Sequence, residues 1–196
     1  MTEGAGSDGA EPGAPPLVRC FAAAFLTRES ARRLQAVARE SLGPRLWQSD
    51  HARRVPLANY HVTLKFLGAL TEPAAAAALR AVEDLAGREL EARATGLRGF
   101  PQRRSARLVA AELETHPSLE AWWAALQKRL GAEDRGFRPH VTVLRLRRPR
   151  PFRPLTLAEP VSLVLCAPRL YRSDQTGEGV RYAPVDSAAS QDPTRW

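Results

Sequence analysis

The sequence predicts an α+β fold of two similar lobes, each an antiparallel sheet with helices on one face. The composition is globular, with 44% hydrophobic and 26% charged residues in a chain of 196 residues, enough to bury a sizeable core. Apolar runs typical of strands alternate with helical stripes. A pattern of strand, helix, loop and second strand occurs twice, and both second strands contain His-x-Thr. This repeat indicates a duplicated fold with pseudo-twofold symmetry.

The first copy contains two strands and two helices. Thr27 is a preferred N-cap, and Pro73 suits the first turn of a helix. In chain order the predicted elements are a strand over residues 17–26, a helix from Thr27 to near Gly43 and Pro44, a strand over residues 60–67 closed by Gly68, and a helix from Pro73 to near Gly87.

In the second copy the helix is marked by apolar residues at helical spacing, which is more typical of core packing than of a ligand surface. That stripe consists of Leu119, Trp122, Trp123, Leu126 and Leu130. In chain order the predicted elements are a strand over 108–113, a helix from His116-Pro117-Ser118 to Gly131, a strand over 140–146, a stiff connector through Pro149, Pro151 and Pro154, and two apolar runs, 161–167 and 180–185, around a polar turn at 173–179.

The composition also limits the class of protein. No apolar run approaches the ~20 residues that a membrane helix needs, and the acidic start lacks the features of a secretory signal. Cys20 and Cys166 lie in apolar runs and are interpreted as small buried hydrophobes in a reducing compartment. We therefore expect a cytoplasmic monomer without a membrane partner. Residues 17–186 should form one bilobal domain between loose tails at 1–16 and 187–196.

The charge balance favours an anionic partner. Lys and Arg total 29 against 21 acidic residues, for a net charge of +8, and only Lys65 and Lys128 are lysines. A guanidinium group is planar, always charged and suited to phosphate oxygens. A GC-rich genome and a solvated surface would produce the same bias, so charge alone suggests nucleic acid without establishing it.

The candidate catalytic residues lie in the two His-x-Thr strands. Side chains two apart on a strand point the same way, so His61 lies on the same face as Thr63, and His140 on the same face as Thr142. If a pseudo-twofold axis relates the lobes, two imidazoles and two hydroxyls converge on one cleft. The other face of the first strand is predicted to pack against helices through an apolar set: Val62, Leu64 and Phe66.

Displacement at phosphorus could use such a site without a metal. Displacement at phosphorus needs a base for the incoming oxygen and an acid for the departing one. Histidine can fill either role near neutral pH. Threonine hydroxyls can donate hydrogen bonds to the other phosphate oxygens. One His-x-Thr would often be incidental, as His51 and His116 are predicted to be. A metal site is disfavoured because no Asp or Glu lies at ligand spacing.

Residues 59–68 and 137–145 closely resemble the two signature motifs of the two-histidine (2H) phosphoesterases, and best those of the RNA 2′,3′-cyclic phosphodiesterases, historically called 2′-5′ RNA ligases. The first segment reads Asn-Tyr-His-Val-Thr-Leu-Lys-Phe-Leu-Gly and the second Phe-Arg-Pro-His-Val-Thr-Val-Leu-Arg. Residues 19–23, 99–101, 170–173 and 181–182 are also similar. The resemblance spans about residues 17 to 185.

The resemblance implies two antiparallel sheets flanking a central basic cleft, with helices on the outer faces. It implies hydrolysis of a 2′,3′-cyclic phosphate, on RNA ends or nucleosides, to a 2′-phosphate without cofactor or metal; weak 2′-5′ RNA ligation is the reverse chemistry. His61 would protonate the departing 3′ oxygen, and His140 would activate water. Thr63 and Thr142 would hold the phosphate. A non-catalytic RNA- or nucleotide-binding module on the same scaffold is the alternative.

Further residues are candidates for the site. Arg145 matches an arginine of the second motif and is predicted to bind phosphate, although strict alternation from His140 would put it on the other face. Lys65 lies on the His61 face and could line the substrate site or reach solvent. Phe100 could stack a base or anchor its Gly-Phe-Pro turn. Ser173 could also line the site.

Other positions are chain-specific or open to two interpretations. Ala110 and Glu112 stand where relatives usually place Trp and Gly, which leaves the base preference open. Three arginines could follow an RNA backbone or form an ordinary solvated surface. They are Arg103, Arg104 and Arg107.

Overall fold

The structure is a computed structural model that describes residues 17–85, 87–132, 136–176 and 179–185; the predicted tails at 1–16 and 187–196 lie outside these ranges. Two short 3-10 turns, Leu57–Asn59 and Arg103–Ser105, lie between the main elements. In chain order these are β1 (Val18–Phe25), α1 (Arg28–Trp47), β2 (Ala52–Arg54), β3 (His61–Leu70), α2 (Glu72–Glu83), β4 (Leu90–Phe100), β5 (Ala106–Leu113), α3 (Pro117–Leu130), β6 (His140–Arg150), β7 (Leu155–Leu165), β8 (Arg169–Thr176) and β9 (Gly179–Pro184).

The sheet has two matching halves. Its strand order is β7-β4-β5-β6-β3-β1-β8-β9, with β2 paired to β6 outside this path, and every pairing is antiparallel. The two His-x-Thr strands, β3 and β6, meet at the centre through the pair Val62 and Val141. The predicted α+β fold is therefore confirmed, and the two predicted antiparallel sheets are joined edge to edge at this pair into one sheet.

The helix ends follow local sequence signals. The Thr27 side chain accepts a hydrogen bond from the Ser30 amide and caps α1. The helix breaks at Gly43, whose φ of 66° is left-handed, and a further turn continues to Trp47. His116 caps α3 by accepting from the Ser118 amide at 3.2 Å, which gives this histidine a structural role. None of the described helices has the length and apolar character that crossing a bilayer requires.

The main core lies between one face of the sheet and the helices. Leu34 of α1 and Leu119 and Leu126 of α3 are fully buried there, as are Val62 and Val141 of the central strands. On the opposite face a smaller aromatic cluster forms around β1, made of Phe21, Ala23, Phe25 and Tyr171 with Tyr182 packed against it. Because the helices cover only one face, the other is left for a groove.

Strand β4 is the main element absent from the sequence prediction. Its first residues alternate buried and exposed as a strand should, but they are mostly Ala, Gly, Arg and Glu, which have low β-propensity. Strand β7 begins at Leu155, six residues before the predicted apolar run, and includes Pro160. That proline is tolerated because β7 is an edge strand, paired only with β4 along the sheet.

Candidate active site

Each His-x-Thr strand has a one-residue bulge directly after its threonine. In β3, Thr63 pairs with Ala23 while Lys65 pairs with Ala22, so Leu64 is the extra residue. In β6, Thr142 pairs with Ala110 while Leu144 pairs with Val109, so Val143 is extra. A bulge shifts the alternation of side chains between the two faces. Residues beyond it therefore lie on the face opposite to the one that simple counting predicts.

The bulge moves Lys65 out of the groove, so the prediction that it lies on the His61 face is wrong. Its side chain is 4% exposed. The Lys65 Nζ donates to the Gln127 side-chain oxygen at 3.0 Å and to the Gly131 carbonyl at 2.7 Å. An ammonium group at the C-terminal end of α3 is favourably placed in the helix dipole. Lys65 thus joins β3 to the C-terminal end of α3.

The same bulges bring Phe66 and Arg145 to the groove at equivalent positions of the two copies. Phe66 was predicted to pack against helices, but it is 70% exposed and lines the groove. Arg145 lies on the groove face, as its predicted phosphate-binding role requires, because the bulge at Val143 shifts the alternation. One wall thus presents an aromatic ring and the other a guanidinium group.

A cavity of about 620 Å³ occupies the groove at the centre of the sheet. Six of the eight predicted site residues line it, whereas Lys65 and Phe100 do not. Arginines that were not predicted for the site also contribute: Arg19, Arg53 and Arg54. The only sequence signal for two of them is the basic loop before the first His-x-Thr strand. The predicted residues that line the cavity are His61, Thr63, His140, Thr142, Arg145 and Ser173.

Both imidazoles are held by a backbone carbonyl two residues earlier. The Nδ1 atom of His61 lies 2.8 Å from the Asn59 carbonyl oxygen, and that of His140 lies 2.7 Å from the Arg138 carbonyl oxygen. A carbonyl can only accept, so Nδ1 is the donor in each bond and carries a proton. Nε2 of each neutral ring is then left as the proton acceptor. The two rings are prepared in the same way for acid–base chemistry.

The surroundings of His61 are aromatic. Its ring stacks on Phe25 with centroids 4.9 Å apart and meets the edge of Tyr182 at 5.2 Å, with Phe21 at 5.3 Å. Burial in this cluster lowers the pKa of His61 to about 4, and the positive charges of His140 and Arg145 act in the same direction. The bond to Asn59 raises the pKa and offsets part of this effect.

His140 has a different neighbour at the equivalent position. Glu112 lies opposite His140 on β5, as Phe25 lies opposite His61 on β1. Burial lowers the pKa of His140, while the bond to the Arg138 carbonyl and the Glu112 carboxylate raise it. The ring also stacks on Phe100 at 4.3 Å. Phe100 is therefore a packing residue beneath His140, which favours the anchor over the base-stacking interpretation.

The other predicted groups lie apart from the cavity. Arg103, Arg104 and Arg107 are exposed and do not line it. Within the described residues, no three His, Cys, Asp or Glu side chains are grouped so that they could hold a metal ion. Cys20 is buried, Cys166 is partly buried, and neither forms a disulfide.

Comparisons with known proteins agree with this architecture. A family model described as LigT-like phosphoesterase matches residues 27–110, and no curated protein sequence matches the chain. The crystal structure of a Thermus thermophilus protein is 26% identical, with a TM-score of 0.67 over 86% of this chain and 95% of that one. Escherichia coli LigT complexed with ATP is 20% identical, with a TM-score of 0.68 over 87% and 96%. LigT complexed with 3′-AMP is 21% identical, with a TM-score of 0.66 over the same shares.

The family model includes the first His-x-Thr strand, and the shared fold extends over the second. Both strands have the same bulge and the same histidine–carbonyl bond. The chain therefore resembles the LigT-like phosphoesterases over residues 27–110, and over most of its length it shares the fold of LigT.

Proposed function

We propose that this protein is a phosphoesterase that hydrolyses 2′,3′-cyclic phosphates, at RNA ends or on nucleosides, to 2′-phosphates by acid–base catalysis between two histidines. The observation that carries the proposal is that both His-x-Thr pairs line one cavity with each Nδ1 bonded to a carbonyl. This supplies a base and an acid from opposite walls, as in-line displacement at phosphorus requires. The complexes of LigT with 3′-AMP and ATP are consistent with a nucleotide site in this fold.

In the proposed reaction His140 Nε2 accepts a proton from water as the water oxygen bonds to phosphorus. The bond from phosphorus to the 3′ oxygen breaks, and His61 donates a proton to that oxygen, so the phosphate stays on the 2′ oxygen. Thr63 and Thr142 donate hydrogen bonds to the two non-bridging oxygens, and Arg145 balances their charge. An RNA 5′ hydroxyl in place of water would give a 2′-5′ linkage by the same steps.

The different neighbours of the two rings suit these roles. Burial disfavours the protonated form of both histidines, which lowers the pKa of each. An anionic phosphate between the rings favours a charged imidazole, and a group of low pKa then releases its proton readily to the departing oxygen. The Glu112 carboxylate stabilises the positive charge that His140 gains as the base. This supports His61 as the acid and His140 as the base.

The proposal is tested by incubating the protein with a nucleoside 2′,3′-cyclic phosphate in excess EDTA and separating the products by chromatography. We expect complete conversion to the 2′-monophosphate, because His61 serves the 3′ oxygen and no step needs a metal. A 3′-monophosphate product, or activity only with added metal, would overturn the proposal. Salt-dependent RNA binding without turnover would instead indicate a non-catalytic binding module.

Phe66 is expected to stack the base of the substrate, because it is a large exposed ring on the cavity wall. Stacking of a base on an aromatic ring is worth ~1–3 kcal/mol, so Phe66→Ala should raise KM about tenfold with little change in kcat. Phe66→Tyr should restore the wild-type KM. Leu17, 63% exposed and outside the cavity lining, gives a matched control in Leu17→Ala. An unchanged KM in Phe66→Ala would contradict this role.

A further inference from the structure

The end of the sheet beyond β1 extends as a two-stranded arm beside the cavity. Among the described residues, β8 pairs with β1 only from Arg169 to Arg172, whereas its pairing with β9 continues to Thr176. Residues 173–176 of β8 and 179–182 of β9, here called the arm, therefore form a ribbon of two strands. Four side chains of the arm line the cavity and make it one wall of the site: Ser173, Gln175, Val180 and Tyr182.

Two contacts hold the arm at the first histidine. A ribbon of two strands is only marginally stable in water, so contacts from outside decide whether it stays in place. Asn59, in the 3-10 turn before β3, donates from its side-chain Nδ2 to the Val180 carbonyl at 3.1 Å. The Tyr182 ring packs edge-on against Phe21 at 4.9 Å and against His61 at 5.2 Å. The position of the arm and the surroundings of His61 are therefore linked.

The backbone of Asn59 holds the same imidazole ring. Its carbonyl oxygen accepts a hydrogen bond from His61 Nδ1 at 2.8 Å. One residue thus fixes the orientation of the ring through its backbone, and through its side chain it holds the strand that covers the ring. Because Tyr182 belongs to that strand, movement of the arm away from Asn59 would expose His61 to water.

The second copy has a related arrangement. Arg138 also stands two residues before its histidine, and its carbonyl oxygen accepts from His140 Nδ1 at 2.7 Å. Its guanidinium carbon lies 5.2 Å from the centroid of the Phe100 ring, which stacks on His140 at 4.3 Å. In both copies the residue two positions before the histidine contacts the ring by its backbone, and its side chain contacts an element that covers the ring. This repetition indicates a role in the site.

We infer that Asn59 is a positioning residue for His61: its side chain holds the arm against the cavity, and the arm keeps the imidazole buried and directed at the phosphate. The inference rests on the proposed function only for the role of His61 as the acid. The other groups that face His61 are two phenylalanines of β1 and the charged or titratable groups of β6, His140 and Arg145. None of these is altered by a substitution of the Asn59 side chain.

The experiment follows the titration of His61 by NMR in the free protein, with its signal assigned through His61→Ala. The pKa of His61 is about 4 in the wild type, with burial as the main cause. Asn59→Ala keeps the backbone carbonyl and removes the bond to Val180, which should make opening of the arm about two- to tenfold more frequent. Opening hydrates the ring and favours its charged form, so the pKa should rise to about 5.

Two further readouts accompany the titration. Hydrogen exchange of the arm amides should become about two- to tenfold faster in Asn59→Ala, and the acid-side decline of kcat/KM should move to higher pH with the pKa of His61. Ser49→Ala is the matched control: it removes a side-chain-to-backbone hydrogen bond outside the cavity lining and should leave the His61 titration and the exchange of the arm unchanged.

Tyr182→Ala tests whether Asn59 acts through the arm. It removes the contact of the arm with His61, so it should raise the pKa of His61 by itself, and adding Asn59→Ala should then change that pKa little. An unchanged His61 pKa in Asn59→Ala, or additive effects in the double variant, would overturn the inference. Asn59→Ser, whose side chain is too short to reach Val180, gives the same test if the alanine variant does not fold. Titration and exchange need no substrate, so they test the inference even if the turnover assay overturns the proposed function.

Discussion

Replacing His61 or His140 by alanine is expected to lower kcat/KM for a 2′,3′-cyclic phosphate by about 10²- to 10⁴-fold, the usual worth of general acid–base catalysis. Each ring lines the cavity, and its Nδ1 bonds to the carbonyl of the residue two positions earlier. The strand ladders use backbone groups, so both variants should fold. Initial rates with purified variants, at matched circular dichroism spectra, measure the effect.

The matched control is His51→Ala, since His51 is exposed and lies outside the cavity lining. The double variant His61→Ala/His140→Ala should be little worse than either single variant, because acid and base act as a unit in one step. Loss in only one of the two single variants would contradict the two-histidine mechanism.

The pH dependence of kcat/KM supplies a second readout of the same substitutions. Burial lowers the pKa of both rings from the usual 6.5, that of His61 to about 4, so both are neutral in the free protein at pH 7.5. The reaction needs one charged ring, so kcat/KM should rise as the pH falls below about 6.5 and decline again near pH 4, where both rings become charged. These two limbs of the pH profile, the rise and the decline, belong to the two interacting histidines together and not to one ring each. Removing either ring should remove one limb, and a variant profile with both limbs would contradict the assignment.

Side chains alternate between the two faces with period two only up to the bulge in each His-x-Thr strand. Alternation with period two predicted correctly that each histidine shares a face with its threonine, because those residues precede the extra residue. It failed for Lys65 and Phe66, which follow the bulge at Leu64, and left Arg145 ambiguous for the same reason. A bulge arises from pairing with a partner strand, and no local residue pattern in these two segments signals it.

The surroundings of the histidines depend on residues far away in the chain. Phe25 and Tyr182 reach His61, and Glu112 reaches His140, only through the order and register of β1, β9 and β5. The signature motifs could point to the proposed catalytic residues because they contain those residues. They could not predict the difference between the two rings, because the difference comes from tertiary neighbours.

Replacing either threonine of the two motifs by valine is expected to lower kcat by about 10²- to 10³-fold, as loss of one donor to a developing oxyanion does. Valine keeps the branched shape of threonine and removes only the hydroxyl group. Thr63 and Thr142 are both partly buried in the cavity wall, opposite small alanines, Ala23 and Ala110. The expected change is therefore loss of a hydrogen bond without a change in packing.

Whether the threonine-to-valine variants lose kcat or gain KM shows how the hydroxyl groups act. Charge on the non-bridging oxygens increases as phosphorus becomes five-coordinate, so a bond to them is stronger in the transition state and its loss should appear in kcat. Thr63→Ser and Thr142→Ser keep the donor and should stay within about tenfold of the wild type, a smaller loss than that of one donor. Thr156→Val, on the exposed surface of edge strand β7, is the control for the substitution itself. A rise in KM with unchanged kcat would mean that the hydroxyls bind substrate and transition state equally, and that the charge is stabilised by Arg145 instead.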